Sequence, residues 1–228
     1  MIFAVLGLLL IVSAYVPQLW VRHMMKKHQQ DDPDIPGTGG ELANHLVKRF
    51  ELQGIVVEET DEGRDHFDPA AKAVRLSPSN YHGRSVTAVA VAAHEVGHAI
   101  QCHRNEKIFE LRKEYMPLAS KLGKWGIALM MSVPIAAIVL RSPIAIGVVI
   151  GLSVILQLMG ALAYLIVLPE EWDASFNKAL PILIEGEYIT EEQHKGARQV
   201  LRAAALTYFA GALASILNIG RWLMVLRR

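Results

Sequence analysis

Cysteine is almost missing from this chain of 228 residues. Cys102 stands alone, which excludes an intrachain disulfide framework and fits a reducing compartment. Net charge is nearly missing too: 23 Lys and Arg face 22 Asp and Glu, and the basic residues gather at the ends of apolar blocks instead of forming a stripe. That leaves no electrostatic footprint for nucleic acid, so none is expected as a partner. Internal repeats and low-complexity tracts are absent, which excludes a solenoid. The parts of a cleaved signal peptide are absent as well. No positive residue precedes the first apolar stretch, the stretch is too long for an h-region, and Tyr15, Pro17 and Trp20 replace a small-residue cleavage site.

Hydrophobic residues, by contrast, make up 52% of the chain and fall in a few blocks, which points to a membrane protein with a modest polar domain. Ile2 to Val21 is almost unbroken apolar sequence, long enough at about 1.5 Å per residue to cross a bilayer core of roughly 30 Å. Arg22, Lys26 and Lys27 follow at once, so the positive-inside rule puts the N-terminus outside and the next segment in the cytoplasm. Trp125 to Leu140, with Pro134 as an expected kink, and Ile144 to Leu168 are two further apolar blocks. Only Arg141-Ser142-Pro143 separates them, which predicts a tight hairpin that returns the chain to the cytoplasmic side. A last block, Ala203 to Ile219, precedes a tail with three arginines. As a span it would put them outside, so a re-entrant or bundle-packed helix competes with a fourth crossing.

The polar stretch between the first spans reads as a small folded region. Asp31 to Pro36 is a linker, and Thr38-Gly39-Gly40-Glu41 fits a capping box opening a helix whose apolar stripe of Leu42, Leu46 and Phe50 stops near Gly54. Ile55 to Glu59 and Ala73 to Ser77 are strand candidates. The second lies just ahead of the helix discussed next, either as an exposed edge that could pair with an extended peptide or as a strand that merely covers that helix. Divided this way, the chain has an expected span at 1–22, a polar region at 23–110, a hairpin of two spans at 111–168, an acidic helical region at 169–202 and a C-terminal apolar helix at 203–228.

From Ser85, a plausible N-cap, Val86 to Ile100 is an alanine-rich helical run without proline. It is too short in apolar residues to span, and it carries His94-Glu95-Val96-Gly97-His98. Residues four apart share a helix face, so His94 and His98 can bind one metal with Glu95 beside it. A catalytic zinc takes three protein ligands and keeps one position for water, whose proton a neighbouring carboxylate can accept. The third ligand must come from elsewhere. Pro169-Glu170-Glu171-Trp172-Asp173, on the same predicted side of the membrane, supplies Glu171 as first choice, with Glu170 and Asp173 as alternatives. On its own such a cluster is more often a solvated first helical turn. Gly97 would let the acidic helix approach, or simply pack closely. Cys102 lies about 12 Å along the axis from His94 and cannot share its metal. His23, His28, His45, His66, His82 and His103 lack partners at ligand spacing and read as surface or satisfied histidines.

Two other classes compete. Glu95-Val96-Gly97-His98 and Glu191-Glu192-Gln193-His194 are both Glu-x-x-His motifs, the pairing of di-iron carboxylate bundles. Metal analysis separates the readings: one zinc per chain against two irons. A membrane scaffold with a chance motif is the other rival.

The pattern as a whole resembles the membrane-bound neutral zinc metallopeptidases of bacteria, relatives of the HtpX and CAAX-prenyl proteases. The resemblance rests on His94 to Gln101 within its Ser85 to Ala93 setting, and extends to Thr38-Gly39, Asp68-Pro69, Arg75-Leu76-Ser77, Leu168-Pro169 with Glu171-Trp172-Asp173-Ala174-Ser175, and Ala204-Ala205-Leu206-Thr207-Tyr208. In HtpX and CAAX-prenyl proteases the third ligand is a Glu followed by an aromatic residue, then Ala at the third place and Asp at the fourth. This chain matches at Glu171, Trp172 and Ala174 but has Ser175 in place of that Asp, and Asp173 could substitute for it. The resemblance implies a mainly α fold: an integral membrane helical bundle with a small α+β gluzincin-like zinc peptidase domain. It also implies one Zn²⁺ per chain on His94, His98 and Glu171, Glu95 as general base, and a peptide or membrane-protein substrate met at the cytoplasmic face of the plasma membrane bilayer. An oxyanion donor is expected. Tyr208 is the candidate, with Arg198 and His194 behind it and an interfacial aromatic anchor as its other reading.

Overall fold

The structure, a computed structural model, describes the backbone of residues 2–211 and the side chains of 15–162 and 165–211. In chain order it contains α1 (Ile2–Lys27), α2 (Gly39–Arg49), β1 (Val56–Glu59), β2 (His66–Asp68), β3 (Ala73–Leu76), α3 (Pro78–Tyr81), α4 (Val86–His103), α5 (Lys107–Met131), α6 (Val133–Leu140) and α7 (Pro143–Ile166). There follow α8 (Leu168–Trp172), a π-helix (Asp173–Ala179), α9 (Leu180–Glu185), a 3₁₀ turn (Glu191–Gln193) and α10 (His194–Ala205). Leu19–Glu110 and Pro169–Thr207 close on each other as one compact unit, and Leu111–Leu168 belongs to a second.

The first unit is built around α4. Every residue from Val86 to Gln101 is buried, which is what a helix apolar or alanine-rich on all sides requires. Leu42 and Leu46 from α2, Val74 and Leu76 from β3, Leu183 from α9 and Val200 and Leu201 from α10 join it in one core. The predicted capping box forms: the Thr38 hydroxyl accepts from the Glu41 amide at 3.2 Å, and the Glu41 carboxylate accepts from the Thr38 amide at 2.8 Å. Two glycines follow because α2 begins backbone against backbone. A Cβ on Gly39 would stand 2.3 Å from the Asn80 carbonyl oxygen and 2.7 Å from that of Ala88.

Both expected strands form, but the sheet corrects one expectation about them. Its order is β1-β3-β2, with β1 parallel and β2 antiparallel to β3. Ala73–Leu76 is therefore the central strand and offers no edge to a peptide. The residues that cover it, His66, Phe67 and Asp68, are three in number with one apolar member, too few to show alternation. Arg75 ties all three strands, donating to Glu58 at 3.0 Å and to Asp68 at 2.6 Å.

The second unit contains most of α5 together with α6 and α7. Arg141, in the left-handed region at φ 48°, ends α6, and Ser142 caps α7. The predicted turn is thus where the two helices meet. α5 begins at Lys107, well ahead of the apolar block at Trp125, because its first turns are charged and apolar counting passes over them. The expected kink at Pro134 falls two residues earlier, where α5 and α6 bend by 49° about Ser132. Proline lacks an N–H and crowds the carbonyl four residues before it, so the ladder fails in the preceding turn. Ser153 donates to the Gly126 carbonyl at 2.6 Å, joining α7 to α5. Among the residues searched, Pro143–Leu162 is one helix long and apolar enough to cross a membrane, and the bent α5–α6 pair would be a second if taken as one span. Ile135, Ile138, Val139, Ile144 and Val148 are all exposed, Ile144 to 82%. α1 covers the first predicted span as a continuous 26-residue helix. The predicted C-terminal block starts in α10, which stops at Ala205, and from residue 212 onward it lies outside the described residues.

Candidate metal centre

Three atoms from two distant parts of the sequence meet inside the first unit. His94 Nε2 and His98 Nε2 are 3.2 Å apart, and Glu171 Oε2 lies 3.2 Å from the first and 3.3 Å from the second. All three side chains are buried. A tetrahedral zinc with bonds of about 2.0–2.1 Å sets its ligand atoms roughly 3.3–3.4 Å apart. The triangle therefore has the size of one face of that tetrahedron, and the donor set fits zinc. Among the described residues this is the one group of His, Cys, Asp and Glu side chains close enough to hold an ion.

The sequence folds this way for local reasons. α4 presents both histidines on one face, one turn apart. The polypeptide carrying Glu171 then crosses α4 at Gly97, where a Cβ would stand 2.9 Å from the Ala174 carbonyl oxygen. Close approach of the acidic helix is thus the use of Gly97. Gly97→Val should cost about 1–3 kcal/mol, as overpacking does, and lower the zinc content as Glu171 is pushed away. Thermal unfolding and metal analysis of the purified variant check both.

Hydrogen bonds fix which nitrogen of each imidazole faces the triangle. The Ser175 hydroxyl donates its one proton to the Leu201 carbonyl at 3.2 Å, so it can only accept from His94 Nδ1, 3.0 Å away. His94 therefore carries Nδ1–H and turns the Nε2 lone pair inward. On His98, Nδ1 lies 2.9 Å from both Gln101 Oε1 and Glu170 Oε1, and each of these accepts. Gln101 is itself oriented, because its amide donates to the Glu170 carbonyl at 3.1 Å and to Asp173 at 2.8 Å. Asp173 further accepts from Asn177 and from Lys178, and Lys178 also pairs with Glu106 at 2.9 Å. Burial opposes charge on His98 most strongly, but the Glu171 charge and the hydrogen bonds to Glu170 and Glu171 outweigh it and hold His98 well above the usual imidazole range. Burial likewise works against an ionised Glu171, yet His98 and His94 keep it well below the carboxylate range.

The expected alternatives for the third ligand thus have other places. Glu170 faces Nδ1 of His98, on the far side of the ring from the triangle, and Asp173 reaches His98 only through Gln101. Ser175, where the resembling proteases have Asp, takes up Nδ1 of His94 directly. Glu95 is 8% exposed and, among the described residues, forms no hydrogen bond or ion pair. Tyr208 belongs to the second unit, where Arg112 donates to its hydroxyl and lies over its ring. On α10, Arg198 is exposed and His194 half-buried, and neither has a hydrogen-bond or ion-pair partner among the described residues. Sequence reasoning missed Gln101, although it stands three residues past His98 on the same helix face.

Comparisons with known proteins point independently to zinc. The profile of a family described as “Putative neutral zinc metallopeptidase” matches residues 2–227. The chain belongs to the putative neutral zinc metallopeptidase family. A relative in this family's likeness is the “Putative membrane protease YugP” of Bacillus subtilis (strain 168), 31% identical over 228 residues that cover 99% of this chain and 96% of the relative. No solved structure matches the chain significantly. Membership of the neutral zinc metallopeptidase family accords with the donor set and with the apolar helix α7.

Proposed function

We propose that the protein is a membrane-anchored zinc metalloendopeptidase, with one zinc per chain held by His94, His98 and Glu171. The observation that carries this reading is the triangle of Nε2, Nε2 and Oε2 atoms at 3.2–3.3 Å, each imidazole turned inward by a partner on its other nitrogen. Zinc bound there supplies an acidified water and a Lewis acid for the scissile carbonyl. Glu95, next to His94 in sequence and without a competing partner among the described residues, would accept the water's proton on its carboxylate and pass it to the leaving amine. Burial of the site keeps this exchange away from bulk solvent.

The membrane setting is read from sequence and surface together. Arg22, Lys26 and Lys27 after the first apolar helix favour a multi-pass topology with the zinc unit on the cytoplasmic side. The exposed isoleucines and valines of α6 and α7 suit contact with lipid chains. Peptides or loops of membrane proteins are the substrate class, and the ligand pattern is that of the gluzincin-like HtpX and CAAX-prenyl proteases.

The di-iron alternative loses its second motif. Glu191 and Glu192 are exposed on a 3₁₀ turn, and His194 only begins α10, so Glu191 and His194 do not share a regular helix face. Full-length protein in detergent should contain one zinc and no iron per chain, and should cleave casein. Chelation should abolish the cleavage and added zinc should restore it. Activity that survives complete removal of metal would refute the proposal.

A further inference from the structure

We propose that Glu170 is a positioning residue for the metal: its carboxylate, together with Gln101, holds the Nδ1–H of His98 and thereby sets how tightly the centre binds zinc. The inference rests on the zinc reading above but concerns a residue that the ligand triangle leaves out.

His98 lies between two consecutive carboxylates. Glu171 Oε2 meets its Nε2 at 3.3 Å, and Glu170 Oε1 meets its Nδ1 at 2.9 Å. Glu170 is 1% exposed, so water does not stabilise its charge and protein donors must. The same residue braces the ring twice. Its carboxylate faces His98 directly, while its main-chain carbonyl accepts from Gln101, whose side-chain oxygen is the other acceptor at Nδ1. Among the described residues, the outer nitrogen of His94 meets no carboxylate, only the neutral hydroxyl of Ser175. A carboxylate on the outer nitrogen fixes the tautomer and raises the basicity of the inner one, and loss of such a partner typically costs 10- to 100-fold in metal affinity. The two histidines are therefore unequal ligands, with His98 the stronger because of Glu170.

Zinc affinity of the full-length protein in detergent, measured by competition with a chromophoric chelator, tests this in wild type and Glu170→Gln. The amide keeps the shape and an acceptor while removing the charge. The expected result is a loss of affinity of about 10- to 100-fold together with a shifted visible band in the cobalt-substituted protein. Unchanged affinity overturns the assignment, as does a loss with an unmoved cobalt band, which would mark a structural role. Should Glu170→Gln not fold, Glu170→Asp withdraws the charge by one methylene. A clear loss of affinity then supports the assignment and an unchanged affinity overturns it. A wild-type protein that binds no zinc overturns the peptidase reading and this one with it, whereas zinc-replete wild type beside an unaffected variant overturns this one alone.

Discussion

Glu95→Gln is expected to stop peptide cleavage while leaving zinc in place. General acid–base groups contribute about 10²- to 10⁴-fold, and for a base that must act twice in one turnover the upper part of that range is expected. The amide fills the same space and can still accept a hydrogen bond, but it cannot take a proton from water or return one to an amine. The structure adds a second expectation. Glu95 forms no hydrogen bond or ion pair among the described residues, so replacing its carboxylate by an amide breaks no contact. The melting temperature should therefore stay close to that of the wild type. Casein cleavage, zinc content and thermal unfolding of the two proteins together decide the matter. Retained cleavage would remove Glu95 from the mechanism, and loss of zinc would make it part of the metal's support.

Glu171→Ala is expected to reach further, because it removes the proposed third ligand and a charge together. Two histidines on one helix turn cannot hold zinc as three ligands do, so the purified variant should contain well under one zinc per chain and show no cleavage. Glu171 is also the group nearest both inner nitrogens. Breaking a buried pair by removing one partner typically costs about 3–5 kcal/mol, and Glu170 on the other side of His98 should keep the loss near the lower end. The metal-free proteins are the right pair for this comparison, by thermal unfolding, since binding would otherwise add its own stabilisation. Zinc retained at one per chain in Glu171→Ala would move the third ligand to another residue.

The difference between these two variants follows from what the sequence makes legible. His94, Glu95 and His98 can be read directly because a helix turns five adjacent letters into one face. Glu171 can be read only with the motif around it, since on sequence grounds Glu170 and Asp173 were equally acidic neighbours. Glu170 and Glu171, adjacent in α8, meet opposite nitrogens of His98, whereas Asp173 opens a π-helix, Asp173 to Ala179, and reaches Gln101. π turns are rare and occur often at functional sites. Gln101 and Ser175 act on partners across the tertiary fold, Ser175 on His94 and Gln101 on Glu170 and Asp173, and only packing reveals those pairs. In the scaffold the division is similar. Thr38 and Glu41 announced α2 because a cap is a local exchange of two hydrogen bonds, whereas β2 remained hidden because three residues cannot display a period. The start of α5 was hidden for the opposite reason: Lys107 to Lys124 is helical but charged, and a search for apolar runs sees only its second half.

The zinc unit is discontinuous, with Leu111–Leu168 intervening between its two segments. A growing polypeptide that has been made as far as α7 already holds both histidines and Glu95 but not Glu171, the proposed third ligand. It also lacks Ser175 and the Asp173 brace of Gln101. On the proposed function, cleavage therefore waits until Pro169–Thr207 has been made and can join Leu19–Glu110, after the apolar hairpin.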